Sequence, residues 1–299
     1  MSTTGAQAWI AGFYDVYVTT AIDVAFFQEE LKKTPGPVLE LMAGTGRLSL
    51  PLAEAGARLT CVDVSGPMLA RLRTKLVDRG LEADLVEADI CQMTLPERSY
   101  GLALLPFQSF GELVAVEAQR TALDRVAAHL RPDGRFVCTM HNPAVRRATV
   151  DGQLRLLGTF PLPEQKGTLL LWTLQQFLPG TSVVQALQFY ERYDPEGRLE
   201  DKHWLDVRFS LVERDEFQVL AEAAGFRVAA LYGSYDRSPF HDGTSPFMIW
   251  VLERCRVGFC QVSRQNARKP QSLALHEWGR TTTSGRLARN LTEPLERRH

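Results

Sequence analysis

The chain predicts an α/β fold, a mostly parallel seven-stranded sheet with helices on its faces and a separate antiparallel sheet inserted late in the order. Three observations predict it. From Val38 onward, short apolar runs alternate with amphipathic stretches, the rhythm of strand–helix–strand units. After Asn142 the period changes to strict alternation over four successive segments, as in consecutive antiparallel strands. Helical periodicity then returns once, and two closing strands follow.

The elements read in order. Residues 38–44 (VLELMAG) form the first strand, 46–56 a helix closed by Gly56, and 58–65 the second strand. A helix over 67–80 opens on Pro67 and ends at Gly80, the usual asymmetry of helix ends. Strands follow over 83–90 and 100–107, then a helix over 116–130, and a fifth strand over 134–142 behind an Arg-Pro-Asp-Gly turn. The inserted sheet, residues 143–212, has strands over 152–160, 168–177, 183–194 and 203–213, with an Asp-Pro-Glu-Gly turn between the last two. A helix over 213–225 and strands over 226–235 and 247–254 complete one domain, residues 1–254. The remainder, 255–299, is rich in Arg, Ser and Thr without a sustained period and is expected to be a disordered basic tail.

Composition narrows the class. With 299 residues, 45% hydrophobic and 23% charged, the chain has the profile of a globular enzyme. Net charge is −1, yet the tail holds nine Lys/Arg against three Asp/Glu, leaving the body with 25 basic and 32 acidic residues. An acidic body repels phosphates, so no nucleic-acid partner is expected. No basic leader precedes an apolar run, and no stretch approaches the roughly 18 apolar residues of a membrane span, so no membrane partner and a cytoplasmic location are expected. The five cysteines are scattered, with neither zinc nor redox spacing, and no metal is expected. A homodimer is left open.

The chemistry concentrates at the end of the first strand. Glu40-Leu-Met-Ala43-Gly44-Thr-Gly46 joins strand to helix, where glycines let backbone N–H groups approach a ligand and the helix N-terminus favours negative charge. Seventeen residues past Gly46, Asp63 ends the second strand, where a carboxylate can accept from ribose hydroxyls. A bare Gly-x-Gly is weak evidence between cofactors, but Ser49 stands where a dinucleotide fingerprint wants a third glycine or alanine.

With Glu87-Ala-Asp89-Ile90 ending the third strand, the three motifs in order resemble the class I S-adenosylmethionine-dependent methyltransferases over about residues 10–254. The resemblance implies a Rossmann-like seven-stranded class I methyltransferase sheet with an inserted antiparallel β lid, and S-adenosyl-L-methionine as cofactor. It implies that Glu40, Ala43, Gly44 and Gly46 form the methionine-end turn and that Asp63 holds the ribose. Asp89 then meets the adenine amino group with Ile90 on the ring, and Val64 and Met68 belong to the segment lining the other face. It also puts Tyr14, Tyr17 and Phe107 near the methionine end. The insertion, with Phe-Tyr-Asp-Val-Tyr at 13–17, is similar to that of small-molecule N-methyltransferases and of natural-product enzymes. Residues 105–110 (LPFQSF) lack the Asn/Asp-Pro-Pro-Tyr motif of DNA-adenine and glutamine N-methyltransferases.

Methyl transfer is an in-line displacement, so the protein chiefly aligns the reactants and excludes water. An acceptor that loses a proton needs a base, for which His141, at the carboxyl edge of the sheet, His203 and His241 are candidates, with Tyr14 beside the cofactor. Trp172 and Trp204 in the insertion, with Tyr17 and His241, are expected to bind acceptor, and their aromatic character points to an indole, phenol or aryl amine. His129, on a helix, is expected to be structural. Two alternatives stay open: an NAD(P)-dependent oxidoreductase on a similar sheet, and a non-catalytic S-adenosylmethionine-binding protein.

Overall fold

The computed structural model describes residues 3–96, 99–163 and 166–255. The tail read over 255–299 lies outside them apart from Cys255. Strands β1 (Val38–Leu41), β2 (Leu59–Asp63), β3 (Asp84–Glu87), β4 (Tyr100–Leu105) and β5 (Leu130–His141) pair in parallel. Four more, β6 (Leu154–Pro161), β7 (Thr168–Phe177), β8 (Val183–Tyr193) and β9 (Leu199–Ser210), form the inserted antiparallel sheet in sequential order. The last two, β10 (Phe226–Tyr232) and β11 (Phe247–Arg254), return to the main sheet, whose order is β10-β11-β5-β4-β1-β2-β3 with β11 antiparallel to both neighbours.

Every residue of β1, β2 and β4 is buried, as strands covered on both faces must be. Alternation sends Leu39 and Leu41 to one face, against Phe136, Phe217 and Trp250. That face is covered by α5 (Val116–His129) and by α7 (Arg214–Ala223), whose start carries a Glu213–Glu216 capping box. Val38 points to the other face with Phe26, Phe27, Leu72 and Ile249. There α4 (Gly66–Asp78) buries Leu69, Leu72 and Leu76, spaced three and four apart as a helix stripe requires.

The helix read over 46–56 is shorter than expected. Gly46 sits at φ 85° and Gly56 at φ 85°, so the helical stretch contracts to α3 (Ser49–Glu54). Ahead of Val38 the chain forms α1 (Thr3–Tyr17) and α2 (Val24–Lys33). Arg47 holds α2 with two bonds to Asp23, at 2.5 and 2.6 Å, and one to the Thr20 carbonyl at 3.1 Å. Thr45 and Lys75 donate to Asp15 of α1 at 2.6 and 3.0 Å. Glu30, wholly buried on α2, is met by Arg135, Lys33 and Arg237. Among the described residues no helix is long and apolar enough to cross a membrane.

The inner face of the inserted sheet packs Leu169, Leu171 and Tyr190 against Ile10 of α1, which therefore lies between the two sheets. Its outer face carries Trp172, Phe189 and Trp204 side by side in register. A substitution at Gly46 tests how tightly the first turn is drawn. A Cβ there would meet Leu72 Cδ1 at 2.2 Å on a backbone at φ 85°. Gly46→Ala is expected to lower unfolding free energy by about 1–3 kcal/mol in urea denaturation, and an unchanged midpoint would show that the turn re-forms without the positive φ.

Candidate functional site

The site lies at the carboxyl ends of β1 to β5, where open α/β sheets leave a crevice. Beyond β1 the backbone turns through Met42 at φ 55° and Gly44 at φ 58°. Gly44 has nothing within 4 Å of where a side chain would project, so its backbone stands bare towards the cavity. Its N–H donates to Asp63 Oδ2 at 2.7 Å, and the Ser65 N–H donates to Oδ1 at 2.8 Å. Burial raises the Asp63 pKa, against the pull of these backbone donors. Two residues past β3, exposed Asp89 accepts the Cys91 N–H at 2.8 Å, beside buried Ile90.

Together these line a cavity of about 680 Å³ that continues beneath α1 and the inserted sheet. A volume of that size accommodates a cofactor with a small acceptor. Gly44 on a bare backbone, a carboxylate acceptor at the end of β2 and another beyond β3 are groups that an adenosyl amino-acid cofactor needs, and they fit S-adenosylmethionine. Val64 and Met68 line the same end.

Ten of the expected residues reach the lining: Tyr14, Tyr17, Gly44, Asp63, Val64, Met68, Asp89, Ile90, Phe107 and His141. Glu40, Ala43 and Gly46 lie outside it, Gly46 turned against Leu72 of α4. Glu40 is wholly buried, its Oε2 has no hydrogen-bond partner, and burial pushes its pKa to about 7.

Four expected residues lie elsewhere, so the roles assigned to them need correction. His203 is on the inner face of β9 but stacks on Trp9, with centroids 4.1 Å apart. Trp172 and Trp204 fall on the outer face, because strand alternation allows either side and packing of Leu171 and Tyr190 on α1 chose this one. Trp172 donates to Glu191 at 3.2 Å, and Trp204 is 61% exposed. His241 is exposed in the loop before β11. His129 is structural as expected, accepting the Leu95 N–H at 3.2 Å.

Glu112, Gln108 and Gln188 are lining residues that the sequence reading missed, and Tyr190, one of the inserted-sheet aromatics expected to line an acceptor pocket, lies beside them. Glu112 ends a 3-10 turn over Ser109–Glu112 that follows Phe107 and Gln108 at φ 59° and 61°. Its side chain is exposed to the cavity, where partial desolvation by the surrounding walls and then the charge of Asp63 push its pKa up to about 7. His141 moves the opposite way, to about 4, through burial and then Arg146. Burial also raises Tyr14 and Tyr190 to about 12, and Tyr17 well above the usual phenol range. Tyr17 and Tyr190 share a hydroxyl contact of 3.3 Å, and Tyr190 donates to Gln188 Oε1 at 2.6 Å. Among the described residues the lining holds Asp63, Asp89 and Glu112 but neither lysine nor arginine. Arg47 stands behind Phe107, 4.8 Å from its ring centre, with its charge spent on Asp23.

A methyltransferase domain family matches residues 38–134. The cypemycin N-terminal methyltransferase of a Streptomyces species is 30% identical over 218 residues, covering 73% of this chain and 82% of that protein. The solved CcbJ methyltransferase of Streptomyces caelestis superposes with TM-score 0.70 at 23% identity, over 85% of this chain and 98% of that one. S-adenosylmethionine-bound CalS10, an amino pentose methyltransferase of Micromonospora echinaspora involved in calicheamicin biosynthesis, gives TM-score 0.62 at 18% identity, over 81% and 95%. These two structural likenesses speak for the fold alone.

Two predictions follow the geometry. Asp63→Asn is expected to weaken S-adenosylhomocysteine binding by about 10- to 100-fold in calorimetry, the worth of hydrogen bonds to a charged acceptor; unchanged affinity would refute the placement of the ribose site. Glu40 binds its proton more tightly folded than unfolded. The stability it contributes is therefore complete below the ordinary carboxylate range and is lost as pH rises through about 7. The thermal midpoint should fall across that window, less steeply for Glu40→Gln, and parallel curves would remove Glu40 as a cause.

Proposed function

This chain belongs to the class I S-adenosylmethionine-dependent methyltransferases, and on that footing we propose that it methylates the nitrogen of a small amine. Its cofactor is S-adenosylmethionine, which supplies an electrophilic methyl group on a sulfonium. In this reading the Gly44 backbone receives the methionine end and Asp63 the ribose hydroxyls. Asp89, Ile90, Val64 and Met68 enclose the adenine.

One observation carries the choice of acceptor: the cavity presents Asp63, Asp89 and Glu112 with no cationic side chain in the described lining. A field of that sign concentrates cationic ligands and repels carboxylates and phosphates. An amine, protonated in neutral solution, suits it. The indole, phenol or aryl amine expected of the acceptor all rested on Trp172 and Trp204, which do not line the cavity; the sign of the lining supports an aliphatic amine in their place.

The cypemycin N-terminal methyltransferase supports the same class, since an N-terminus carries an amino group, and with it a place in natural-product metabolism. The oxidoreductase alternative falls with the family assignment.

The test is turnover by the full chain with S-adenosylmethionine and a matched panel of amines, phenols and carboxylic acids, read as S-adenosylhomocysteine formed and as methylated product by mass. Turnover is expected with amines, its kcat/KM falling as salt screens the cavity. Methylation confined to phenols or acids would overturn the proposal.

A further inference from the structure

The geometry points to Glu112 as the catalytic base, the group that receives the acceptor ammonium and takes its proton before the nitrogen attacks. This rests on the amine reading above and assigns a role within that site.

The case begins with partners. Asp63 already accepts from the Gly44 and Ser65 N–H groups, and Asp89 accepts from Cys91 and, at 3.4 Å, from Gln92. Glu112 alone of the three lining carboxylates has no hydrogen-bond or ion-pair partner among the described residues. Buried Glu30, by contrast, is met by three cations. Glu112 is exposed to the cavity, so its carboxyl stands open to a ligand that enters.

The segment that carries Glu112 is fixed. Phe110 is buried edge-on against Phe217, with centroids 5.0 Å apart. Ser210 Oγ donates to the Gly111 carbonyl at 3.2 Å, and Gln119 donates to the Leu113 carbonyl at 2.8 Å. A side chain at Gly111 would come within 3.0 Å of the Ser210 carbonyl, so glycine lets the turn approach β9. Gln108 N–H donates to Thr139 at 3.3 Å. The base therefore stands on a turn joined to both sheets, the rigid support that a proton acceptor requires.

The competing groups are disqualified by their surroundings. His141, wedged near Phe209 and Arg146, binds a proton only near pH 4. Tyr14, Tyr17 and Tyr190 keep their protons at neutral pH. The charged and titratable groups that face Glu112 are Asp63 from the end of β2, Tyr14 from α1 and, beyond Tyr14, the Asp23-paired Arg47. None of these donates a salt bridge to it, and Glu112 is half ionised near neutrality.

The step balances without a further reactant. The ionised Glu112 carboxylate accepts one proton from the acceptor ammonium, which leaves a lone pair on nitrogen. The nitrogen forms its bond to the methyl carbon as the carbon–sulfur bond breaks, the electron pair staying on sulfur. The products are S-adenosylhomocysteine and a methylated ammonium, and the carboxylic acid of Glu112 returns its proton to solvent.

Glu112→Gln tests the assignment, with Glu112→Asp as the conservative control. At pH 7 the glutamine variant is expected to lose about 100-fold in kcat/KM for the best amine of the panel, the usual worth of general base catalysis. Its low-pH limb should move from near pH 7 up to the amine's own titration, while the aspartate variant keeps a limb near neutrality. S-adenosylhomocysteine affinity should stay within about twofold of the wild type, well under the tenfold that 1.4 kcal/mol represents. Independently of turnover, carboxyl-carbon NMR of labelled glutamate should show a side chain titrating near pH 7 that Glu112→Gln removes. A retained rate and pH limb in Glu112→Gln would overturn the base while leaving amine methylation intact. A large loss of S-adenosylhomocysteine affinity would make Glu112 a cofactor anchor and overturn it equally. Absence of amine turnover in the wild type would instead strike the reading beneath it.

Discussion

The carboxylate of Asp63 is the tie on which the site depends. Strands β1 and β2 run parallel in direct register, Leu41 opposite Val62, so the turn leaving β1 arrives beside the end of β2. There Asp63 takes the Gly44 N–H and Ala43 donates to the Val62 carbonyl at 3.1 Å, which fixes five residues in a shape with little regular structure of its own. From that fixed turn two side chains reach outward. Thr45 holds Asp15 of α1 and Arg47 holds Asp23 before α2, so the floor of the cavity also anchors its roof. The Arg47–Asp23 pair is 13% and 2% exposed, and removing either partner would leave an uncompensated charge out of water.

The sequence displayed the parts of this design that local rules govern. Apolar runs gave away strands buried on both faces, the glycine turn required its residue types, and Asp63 sat at the predictable end of a predictable strand. Strict alternation revealed the inserted sheet, but alternation alone assigns no face to water. Trp172 and Trp204 went outward because Leu171 and Tyr190 pack on α1, a tertiary fact with no local signature. Glu112 was hidden for a related reason. It stands on a 3-10 turn after two left-handed residues, Phe107 and Gln108, where no period exists to read and neither residue is a glycine.

Environment, more than residue type, distributes the chemistry. A histidine is the usual candidate for a base at neutral pH, yet His141 is pressed against an aromatic ring near an arginine and is held neutral. A glutamate, ordinarily far too acidic, is brought to about 7 by partial desolvation at the cavity wall and a neighbouring negative charge. The same desolvation acts on Glu40, but Glu40 lies outside the cavity, so its raised value affects only the fold. A shifted carboxyl becomes chemically interesting only where a ligand can reach it.

The cavity is also divided by origin. Its cofactor end is made from loops of the main sheet, each held by backbone hydrogen bonds that tolerate little change. Its far end is closed by Gln188, Tyr190, Leu205 and Val207, inner-face residues of the inserted sheet. They meet α1 through the Tyr17–Tyr190 hydroxyl contact at 3.3 Å and the bond from Tyr190 to Gln188. The charged clamps on α1 and α2 sit at the other side, on Asp15 and Asp23. Under the proposed roles, substitutions on the inner faces of β8 and β9 reshape the acceptor end without disturbing the turn assigned to the cofactor. That separation is how one sheet serves many acceptors, and it locates specificity in residues that share no motif.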